Sequence, residues 1–287
     1  MKFVASLAFS PLDHYCDIAR AAEAAGFDAL ALSDHVVHPE RIESPYPYTE
    51  NHKPRWEPFT PWPDPWVAIA AMAAVTTRLR FFTSVYVLPM RNPFQVAKIV
   101  GTAAVLSNDR IALGVGAGWM EEEFELLEQP FRQRGKRMDE MIEVMRKLWA
   151  GGMVEHHGEL YDFDRLEMSP VPQRRIPIYV GGLSKPALRR AARNDGWLSD
   201  LHSTAELAEI VAQLRALRRE AGRDGEPFHV LASATDAFDA DGYRRLEDVG
   251  VTHLVTMPWV FYGGTLDSLD SKRDGIRRFG EEIIARI

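Results

Sequence analysis

Short apolar runs alternate with helical segments along the sequence, and this alternation restricts the possible folds more than any other feature. Residues 3–8 form the first apolar run, residues 12–25 have a helical pattern, and Gly26 stops that helix as a C-terminal capping residue does. The predicted strands are 3–8, 28–33, 79–85, 111–117, 176–180, 197–199, 229–233 and 253–257. The predicted helices are 12–25, 66–75, 93–106, 138–149, 186–193, 205–221, 240–249 and 268–285.

Continuously apolar strands that are joined through helices form parallel sheets buried on both faces. Eight strand–helix units are the number that a closed (β/α)8 TIM barrel requires, and an open doubly wound sheet is the structural alternative. No linker rich in glycine, serine or proline separates two regions of different composition, so residues 1–287 are predicted to form a single domain. The expected fold is therefore an α/β protein with one TIM barrel.

Three long loops, 34–65, 118–131 and 258–267, all follow predicted strands. Segments that follow strands line the carboxyl-terminal face of a barrel, where active sites lie. The first loop contains eight prolines among five aromatic residues. Rigid aromatic surfaces beside a pocket suit a planar or apolar ligand, or they anchor the loop to the barrel or to a second subunit. A further irregular stretch, 151–175, follows a helix and is compatible with a hairpin.

The charge of the chain limits its partners. The net charge is -7, so no global positive field attracts nucleic acid or an anionic membrane, and neither is a predicted partner. Cys16 is the single cysteine, which excludes an internal disulfide, and no His-Glu-x-x-His spacing predicts a metal site. Neither a signal peptide nor an uninterrupted apolar run of about 18 residues occurs, so a cytoplasmic protein is expected.

Several short motifs occur in an order that, taken together, is specific. The set comprises Ala24-Ala25-Gly26-Phe27-Asp28, Ser33-Asp34-His35, Thr76-Thr77-Arg78-Leu79-Arg80, Asn92-Pro93, Leu106-Ser107-Asn108-Asp109-Arg110, Gly114-Val115-Gly116-Ala117-Gly118-Trp119, Glu122-Glu123-Phe124, Pro170-Val171-Pro172-Gln173, Gly181-Gly182 and Asp195-Gly196-Trp197. Over essentially the whole chain this set resembles the luciferase-like (bacterial-luciferase-type) flavin and deazaflavin oxidoreductase superfamily. The nearest branch is similar to the coenzyme F420-dependent oxidoreductases. One departure is Asn108-Asp109, where many members have two glycines, and it is expected to alter only a turn.

The resemblance implies an enzyme that transfers hydride between C5 of the deazaflavin F420 and a small organic substrate, which the sequence does not identify. The alternative is an FMN-dependent luciferase-like monooxygenase that uses reduced flavin and O2. A barrel that binds the cofactor without turnover is a third possibility. Because the family is commonly dimeric, and because the alanines at 21, 22, 24 and 25 suit close packing, a homodimer is expected.

Asp34 and His35 follow the second predicted strand, where side chains can point into the mouth of a barrel. The resemblance to relatives that use the deazaflavin implies that Asp34 contacts the cofactor. It also implies that His35 lies beside the reactive carbon of the cofactor. An imidazole titrates near neutral pH, so His35 is the predicted catalytic residue, exchanging the proton that accompanies hydride movement. The competing interpretation is that both residues only stabilise the loop.

The predicted cofactor site combines three segments. The resemblance implies a cis peptide bond between Ser84 and Val85, as a bulge under the ring. Glycines after the fourth and fifth strands let a ring or tail pass close to the backbone. A phosphate group suits the start of the following helix, where free N–H groups, a hydroxyl and a cation come together, although the same residues also make a helix cap. The predicted cofactor-binding residues are Asp34, Ser84, Val85, Gly116, Gly118, Gly181, Gly182, Ser184 and Lys185.

Four tryptophans in the variable loops are predicted to line the substrate pocket. They are Trp56, Trp62, Trp119 and Trp259. The acidic residues 121–123 are interpreted as favouring a helix N-terminus, and none of them is predicted to be a catalytic base.

Overall fold

Eight parallel strands close into a barrel in the computed structural model, which describes residues 1–287. In chain order the strands are β1 (Lys2–Ser6), β2 (Ala29–Leu32), β3 (Arg80–Thr83), β4 (Tyr86–Val87), β5 (Ile111–Gly116), β6 (Val154–His157), β7 (Asp162–Leu166), β8 (Ile178–Gly181), β9 (Gly196–His202), β10 (His229–Ala234) and β11 (His253–Thr256). The barrel follows the order β3-β2-β1-β11-β10-β9-β8-β5, and pairing of β3 with β5 closes it. The predicted TIM barrel is confirmed, and the open sheet is wrong.

Eight of the ten α-helices are the predicted ones, with ends that differ from the prediction by about one turn or less. They are α1 (Tyr15–Ala24), α2 (Pro65–Ala74), α3 (Pro93–Leu106), α4 (Glu121–Leu126), α5 (Arg134–Trp149), α6 (Lys185–Ala192), α7 (Thr204–Glu220), α8 (Ala240–Val249), α9 (Pro258–Phe261) and α10 (Leu269–Glu282). The additional helices, α4 and α9, lie within the second and third long loops. No helix is both long enough and apolar enough to cross a membrane.

Alternate residues of each barrel strand face opposite sides of the wall. Phe3 and Ala5 of β1 pack in the large core between strands and helices, whereas Val4 faces a separate cluster inside the barrel. In β2 the residues that face the interior are Ala29 and Ala31. Side chains therefore fill the interior, and space for a ligand remains above it, at the carboxyl ends of the strands.

Aromatic and imidazole rings fill the amino-terminal end of the barrel interior. The ring of Tyr179 lies 5.9 Å from that of Phe82 and 5.6 Å from that of His229, measured between centroids. His229 in turn lies 5.1 Å from His253. Burial lowers the pKa of both histidines, that of His253 to about 4 despite the nearby Asp28 carboxylate. Both imidazoles are therefore uncharged at neutral pH and pack as aromatic rings.

Three of the four alanines at 21, 22, 24 and 25 pack against the core of the chain, whereas Ala24 is exposed. Ala22 is fully buried, and α10 approaches α1 so closely that a Cβ atom on Gly280 would lie 2.6 Å from the Ala25 carbonyl oxygen. These residues therefore lend less support to the expected homodimer, which stays a prediction.

The irregular stretch before β8 does contain a hairpin, formed by the antiparallel strands β6 and β7. Glu140 of α5 holds its turn by accepting hydrogen bonds from the N–H groups of Leu160 and Tyr161. His156 of β6 is buried beside the ring of Phe163. The hairpin thus covers α5, on the outside of the barrel.

Candidate functional site

A cavity of about 1720 Å³ opens at the carboxyl ends of the barrel strands. Ligand pockets typically measure about 300 to 1,000 Å³, so this cavity has room for more than one small molecule. Most residues predicted for the site line it: Asp34, His35, Trp56, Trp62, Ser84, Val85, Gly116, Gly118, Trp119, Gly181, Gly182 and Ser184. Two predicted residues, Lys185 and Trp259, do not line it.

His35 follows β2 and is fixed by a carboxylate that sequence reasoning did not assign to the site. Its Nδ1 atom lies 2.9 Å from Oε2 of Glu123, whose side chain is only 2% exposed. The other Glu123 oxygen accepts the N–H groups of Val36, at 2.7 Å, and Val37, at 3.3 Å. Because an ionised carboxylate only accepts hydrogen bonds, His35 donates from Nδ1. Its Nε2 atom is then the nitrogen available to a ligand.

Three tryptophans surround the His35 ring, and two further aromatic residues pack against those tryptophans; we call all five the aromatic cage. They are Phe9, Tyr46, Trp56, Trp62 and Trp119. The centroid of the imidazole lies 4.8 Å from that of Trp56, 5.1 Å from Trp62 and 6.2 Å from Trp119. Within the cage the rings also contact each other, Tyr46 lying 5.1 Å from Trp119. Apart from Phe59, which is exposed, the aromatic residues of the first long loop line the cavity, and ring contacts such as that of Tyr46 with Trp119 also anchor the loop.

Asp34 makes an ion pair beneath the cavity. Its carboxylate receives two hydrogen bonds from Arg91, at 2.7 and 2.8 Å, and one from the N–H group of Val87, at 2.9 Å. Burial alone would lower the pKa of Arg91, but the Asp34 carboxylate outweighs it and raises that pKa. The guanidinium also lies 4.1 Å from the centre of the Tyr86 ring. Asp34 therefore ties the end of β2 to the segment around β4, and its contact with a cofactor stays a prediction.

The peptide bond between Ser84 and Val85 is cis, and the Val85 side chain occupies the space that two glycines leave. A Cβ atom on Gly116 would lie 2.6 Å from Cγ2 of Val85, and one on Gly181 would lie 2.8 Å from Cγ1. Contacts this short do not occur between real atoms, so both positions require glycine. The glycines therefore accommodate Val85 first, rather than a ligand as the sequence suggested.

The start of α6 has the features of a helix cap and also faces the cavity. Ser184 accepts a hydrogen bond from the N–H group of Ala187 at 3.3 Å, and Gly182 has a φ of 111°, which favours glycine. The first N–H groups of a helix have no acceptor within the helix, so they suit an anion. Lys185, however, is exposed and outside the cavity lining, as expected for an unpaired ammonium group that would be costly to bury. Lys185 therefore does not line the cavity, and its contact with a phosphate stays a prediction.

Trp259 is wrongly predicted as a pocket residue. It is fully buried in α9, beneath the ammonium group of Lys272, which lies 5.7 Å from its ring centre. Gly275 of α10 presses against its backbone, since a Cβ atom there would lie 2.5 Å from Cα of Trp259. The short helix turns Trp259 into the core, and its neighbours Val260 and Phe261 line the cavity instead.

Two further anchors of the first long loop escaped sequence reasoning. Glu122, in the first turn of α4, accepts the N–H groups of Glu43, at 2.6 Å, and Ser44, at 3.0 Å. These bonds lower its pKa, although burial alone would raise it. On the opposite side, Arg55 pairs with Asp200 of β9 through two bonds of 2.7 Å. The acidic triplet 121–123 does begin a helix, as predicted, but its partners are about 80 residues away and leave no local pattern.

Comparisons with known proteins agree with this architecture. An uncharacterised protein of Mycobacterium tuberculosis is 40% identical over 290 residues, which cover the whole of both chains. An F420-dependent glucose-6-phosphate dehydrogenase of Segniliparus rotundus is 31% identical over 235 residues, covering 79% of this chain and 65% of the relative.

Two solved structures share the fold, each at 19% identity with a TM-score of 0.75 and 99% of both chains covered. One is a monooxygenase from Streptomyces bottropensis, and the other is an F420-dependent secondary alcohol dehydrogenase in complex with an F420–acetone adduct. The family model described as luciferase-like monooxygenase matches residues 4–277. Because that match spans nearly the whole sequence, this chain belongs to the luciferase-like monooxygenase family.

Proposed function

We propose that the protein is a coenzyme F420-dependent oxidoreductase in which His35 exchanges a proton with a small organic substrate. One observation carries the proposal: the His35 ring is held by Glu123, at 2.9 Å, within a cavity at the strand ends, so that Nε2 is available to a ligand. A neutral imidazole nitrogen in this position acts as a general base, and its protonated form acts as a general acid.

The residues of the cavity fit a deazaflavin. The volume of about 1720 Å³ accommodates a cofactor together with a substrate. Ser84 and Val85 would lie under the ring, and the first turn of α6, with Gly182 and Ser184, would hold the phosphate. The bound cofactor would supply or accept a hydride at C5.

Side chains around His35 orient its ring, shield it from water and fix the floor of the cavity. Glu123 fixes the orientation of the imidazole and favours the tautomer with hydrogen on Nδ1. The aromatic cage covers the ring of His35, whose side chain is 11% exposed, and limits the access of water. The pair of Asp34 and Arg91 fixes the floor of the cavity beside β2.

Relatives support both the F420 proposal and its alternative. The relative from Segniliparus rotundus and one of the two solved structures are F420-dependent dehydrogenases, whereas the other is a monooxygenase. Proton exchange at a positioned histidine is the chemistry that a dehydrogenase needs. This favours the hydride-transfer reaction over oxygen activation with FMN.

A titration of the purified protein with oxidised F420 and, separately, with FMN tests the proposal. We expect F420 to bind with a dissociation constant below about 10 μM and FMN to bind at least about tenfold more weakly. Binding of FMN at micromolar level together with failure to bind F420 would reject the proposal. Oxygen consumption with supplied reduced FMN would then identify the monooxygenase.

A further inference from the structure

We propose that the substrate is an uncharged secondary alcohol or ketone carrying an aromatic ring, which packs on the aromatic cage with its oxygen at Nε2 of His35. This inference rests on the proposed function for the hydride step. The substrate class is inferred from the shape of the aromatic cage and from the charges around it.

The cage offers flat apolar surfaces on three sides of His35. Trp56, Trp62 and Trp119 are all half-buried and line the cavity, so part of each indole is open to a ligand. The rings of Trp56 and Trp62 meet edge to face, with centroids 5.2 Å apart and planes at 77°. Aromatic ligands pack favourably in such a corner, because one ring face and one ring edge are presented together.

The cage is also rigid before a ligand arrives. The loop that carries Trp56 and Trp62 is tied by Glu122 and Glu123 on one side and by Asp200 on the other. A preformed apolar surface binds a ligand without a large loss of loop entropy.

The charged groups nearest the cage are neutralised by partners in the chain. Arg55 forms its two bonds with Asp200 and donates a third, at 2.6 Å, to the carbonyl oxygen of Tyr48. His35 is bonded to Glu123, and burial raises the pKa of Tyr46 to about 12, which keeps its hydroxyl uncharged. Neither Arg55 nor His35 is therefore free to receive a carboxylate or phosphate.

Cavity-lining charges without an ion-pair partner also disfavour an anion. They are Arg41, Glu43, Glu121, Glu122, Glu125 and Arg134. Arg134 stacks on Phe131 at 3.7 Å and donates to the carbonyl oxygen of Gly118, and both contacts leave its charge in place. The glutamates still outnumber the two arginines, and the local potential disfavours a negative substrate.

The chemistry at Nε2 matches an alcohol or a ketone. When the alcohol is oxidised, its carbon loses a hydride and its oxygen loses a proton as the C=O bond forms. Nε2 of His35 takes the proton, and a bound deazaflavin, as in the proposed function, would supply the acceptor for the hydride and its two electrons. In the reverse direction the protonated imidazole returns the proton to the ketone oxygen.

Calorimetric titration with 1-phenylethanol and with mandelate tests the inference, because the two probes differ only in a methyl group and a carboxylate. The full chain is titrated with each probe, both alone and loaded with F420. We expect 1-phenylethanol to bind at least about tenfold more tightly than mandelate. Trp56→Ala should weaken 1-phenylethanol by about fivefold or more. Phe238→Ala is the matched control, since Phe238 lines the same cavity outside the cage and should leave the affinity unchanged.

Asp200→Asn provides a second, independent measurement. It frees the charge of Arg55, so the affinity for mandelate relative to that for 1-phenylethanol should rise about fivefold, whereas any loosening of the loop acts on both probes alike. Thermal unfolding of each variant verifies that it is folded. Equal or tighter binding of mandelate to the unmodified protein, or an affinity for 1-phenylethanol that Trp56→Ala does not change, would overturn the substrate class.

The two proposals fail in different ways. Binding of F420 is scored by the absorbance of the deazaflavin, independently of either probe. A protein that binds 1-phenylethanol in the cage but not F420 supports the substrate class and rejects the proposed cofactor. A protein that binds F420 but neither distinguishes the probes nor responds to Trp56→Ala overturns the substrate class alone.

Discussion

At the scale of single residues, one buried carboxylate determines the orientation and the tautomer of the His35 imidazole. One oxygen of Glu123 accepts a hydrogen bond from Nδ1 of His35, and the other accepts one from the N–H group of Val36. The carboxylate therefore fixes both the orientation of the ring and its tautomer. Without such a partner, a histidine exchanges between two tautomers, and only one of them leaves Nε2 free to accept a proton.

Replacing Glu123 should therefore change the tautomer of His35. We expect the neutral imidazole to carry its hydrogen on Nδ1 in the unmodified protein and to become a mixture of tautomers in Glu123→Ala. The variant should also lose about 2 to 3 kcal/mol of unfolding free energy, because N–H groups near the cavity lose their acceptor. Nitrogen-15 NMR of the histidine ring reads the tautomer directly. Glu125→Ala, an exposed residue of the same helix, is the control, and an identical spectrum in Glu123→Ala would contradict the assignment.

Val85 and its two glycines give a second prediction at this scale. Gly116→Ala should destabilise the protein by about 1 to 3 kcal/mol, because the new methyl group would overlap Cγ2 of Val85. Val85→Ala removes the obstacle, so the double variant should be more stable than the sum of the single effects by about 1 kcal/mol or more. Urea unfolding measures all of these values. Gly225→Ala, which places its Cβ atom in open space, should have little effect, and additive effects at 85 and 116 would refute the contact.

At the scale of elements, the first long loop lines one side of the cavity and is bonded to two different parts of the barrel. The first turn of α4 holds one end of it through Glu122 and Glu123, and β9 holds the other through Asp200. The loop is long, but several of its N–H groups and most of its aromatic side chains have partners in the chain, so we expect it to contribute to the site as a rigid element.

Glu122→Ala should release the middle of this loop without unfolding the barrel. The N–H groups of Glu43 and Ser44 lose their acceptor, so their hydrogen exchange should accelerate by about tenfold or more. Glu121→Ala removes a charge from the same first turn of α4 and is therefore matched for effects on the helix dipole. Exchange that is equally fast in both variants would show that the charge, and not the hydrogen bonds, matters.

How far the sequence predicts this protein differs between elements and site. The periodicity and the cap at Gly26 predict the first strand–helix unit of the barrel, since α1 ends at Ala24 and Gly26 follows its C-cap residue Ala25. The prediction starts α5 four residues late, at 138, because its first turn contains no apolar residue. Trp259 was misplaced for a related reason: nothing in its neighbours reveals that the loop folds into a helix that buries it. Contacts between distant segments, such as Glu123 with His35, have no local signature at all.

At the scale of the whole molecule, the barrel separates two chemically different ends. The carboxyl ends of the strands carry the cavity and its ion pairs, whereas the amino-terminal end is filled with the neutral rings of Tyr179, His229 and His253. The first end suits ligand chemistry, and the second contributes stability.

The amino-terminal end makes stability depend on pH. Burial lowers the pKa of His253 from its ordinary value of 6.5 to about 4, so the unfolded chain takes up this proton first as the pH falls. The contribution of His253 is complete above about pH 6.5 and is lost between 6.5 and 4, amounting to about 3 kcal/mol. Urea unfolding from pH 7.5 to 4 should therefore show a flatter profile for His253→Gln. His38→Gln, at a half-buried histidine without a carboxylate partner, should keep the original slope, and an unchanged slope in His253→Gln would contradict the prediction.

The three tryptophans of the cage have an optical consequence. Their rings lie 5.2 to 6.3 Å apart and are steeply inclined, so the electronic transitions of neighbouring indoles couple. Near-ultraviolet circular dichroism depends on such fixed tertiary packing. The coupled indoles therefore form an intrinsic chromophore that reports on the first long loop. Their near-ultraviolet dichroic signal shows, before any ligand is added, whether this loop is packed at the cavity.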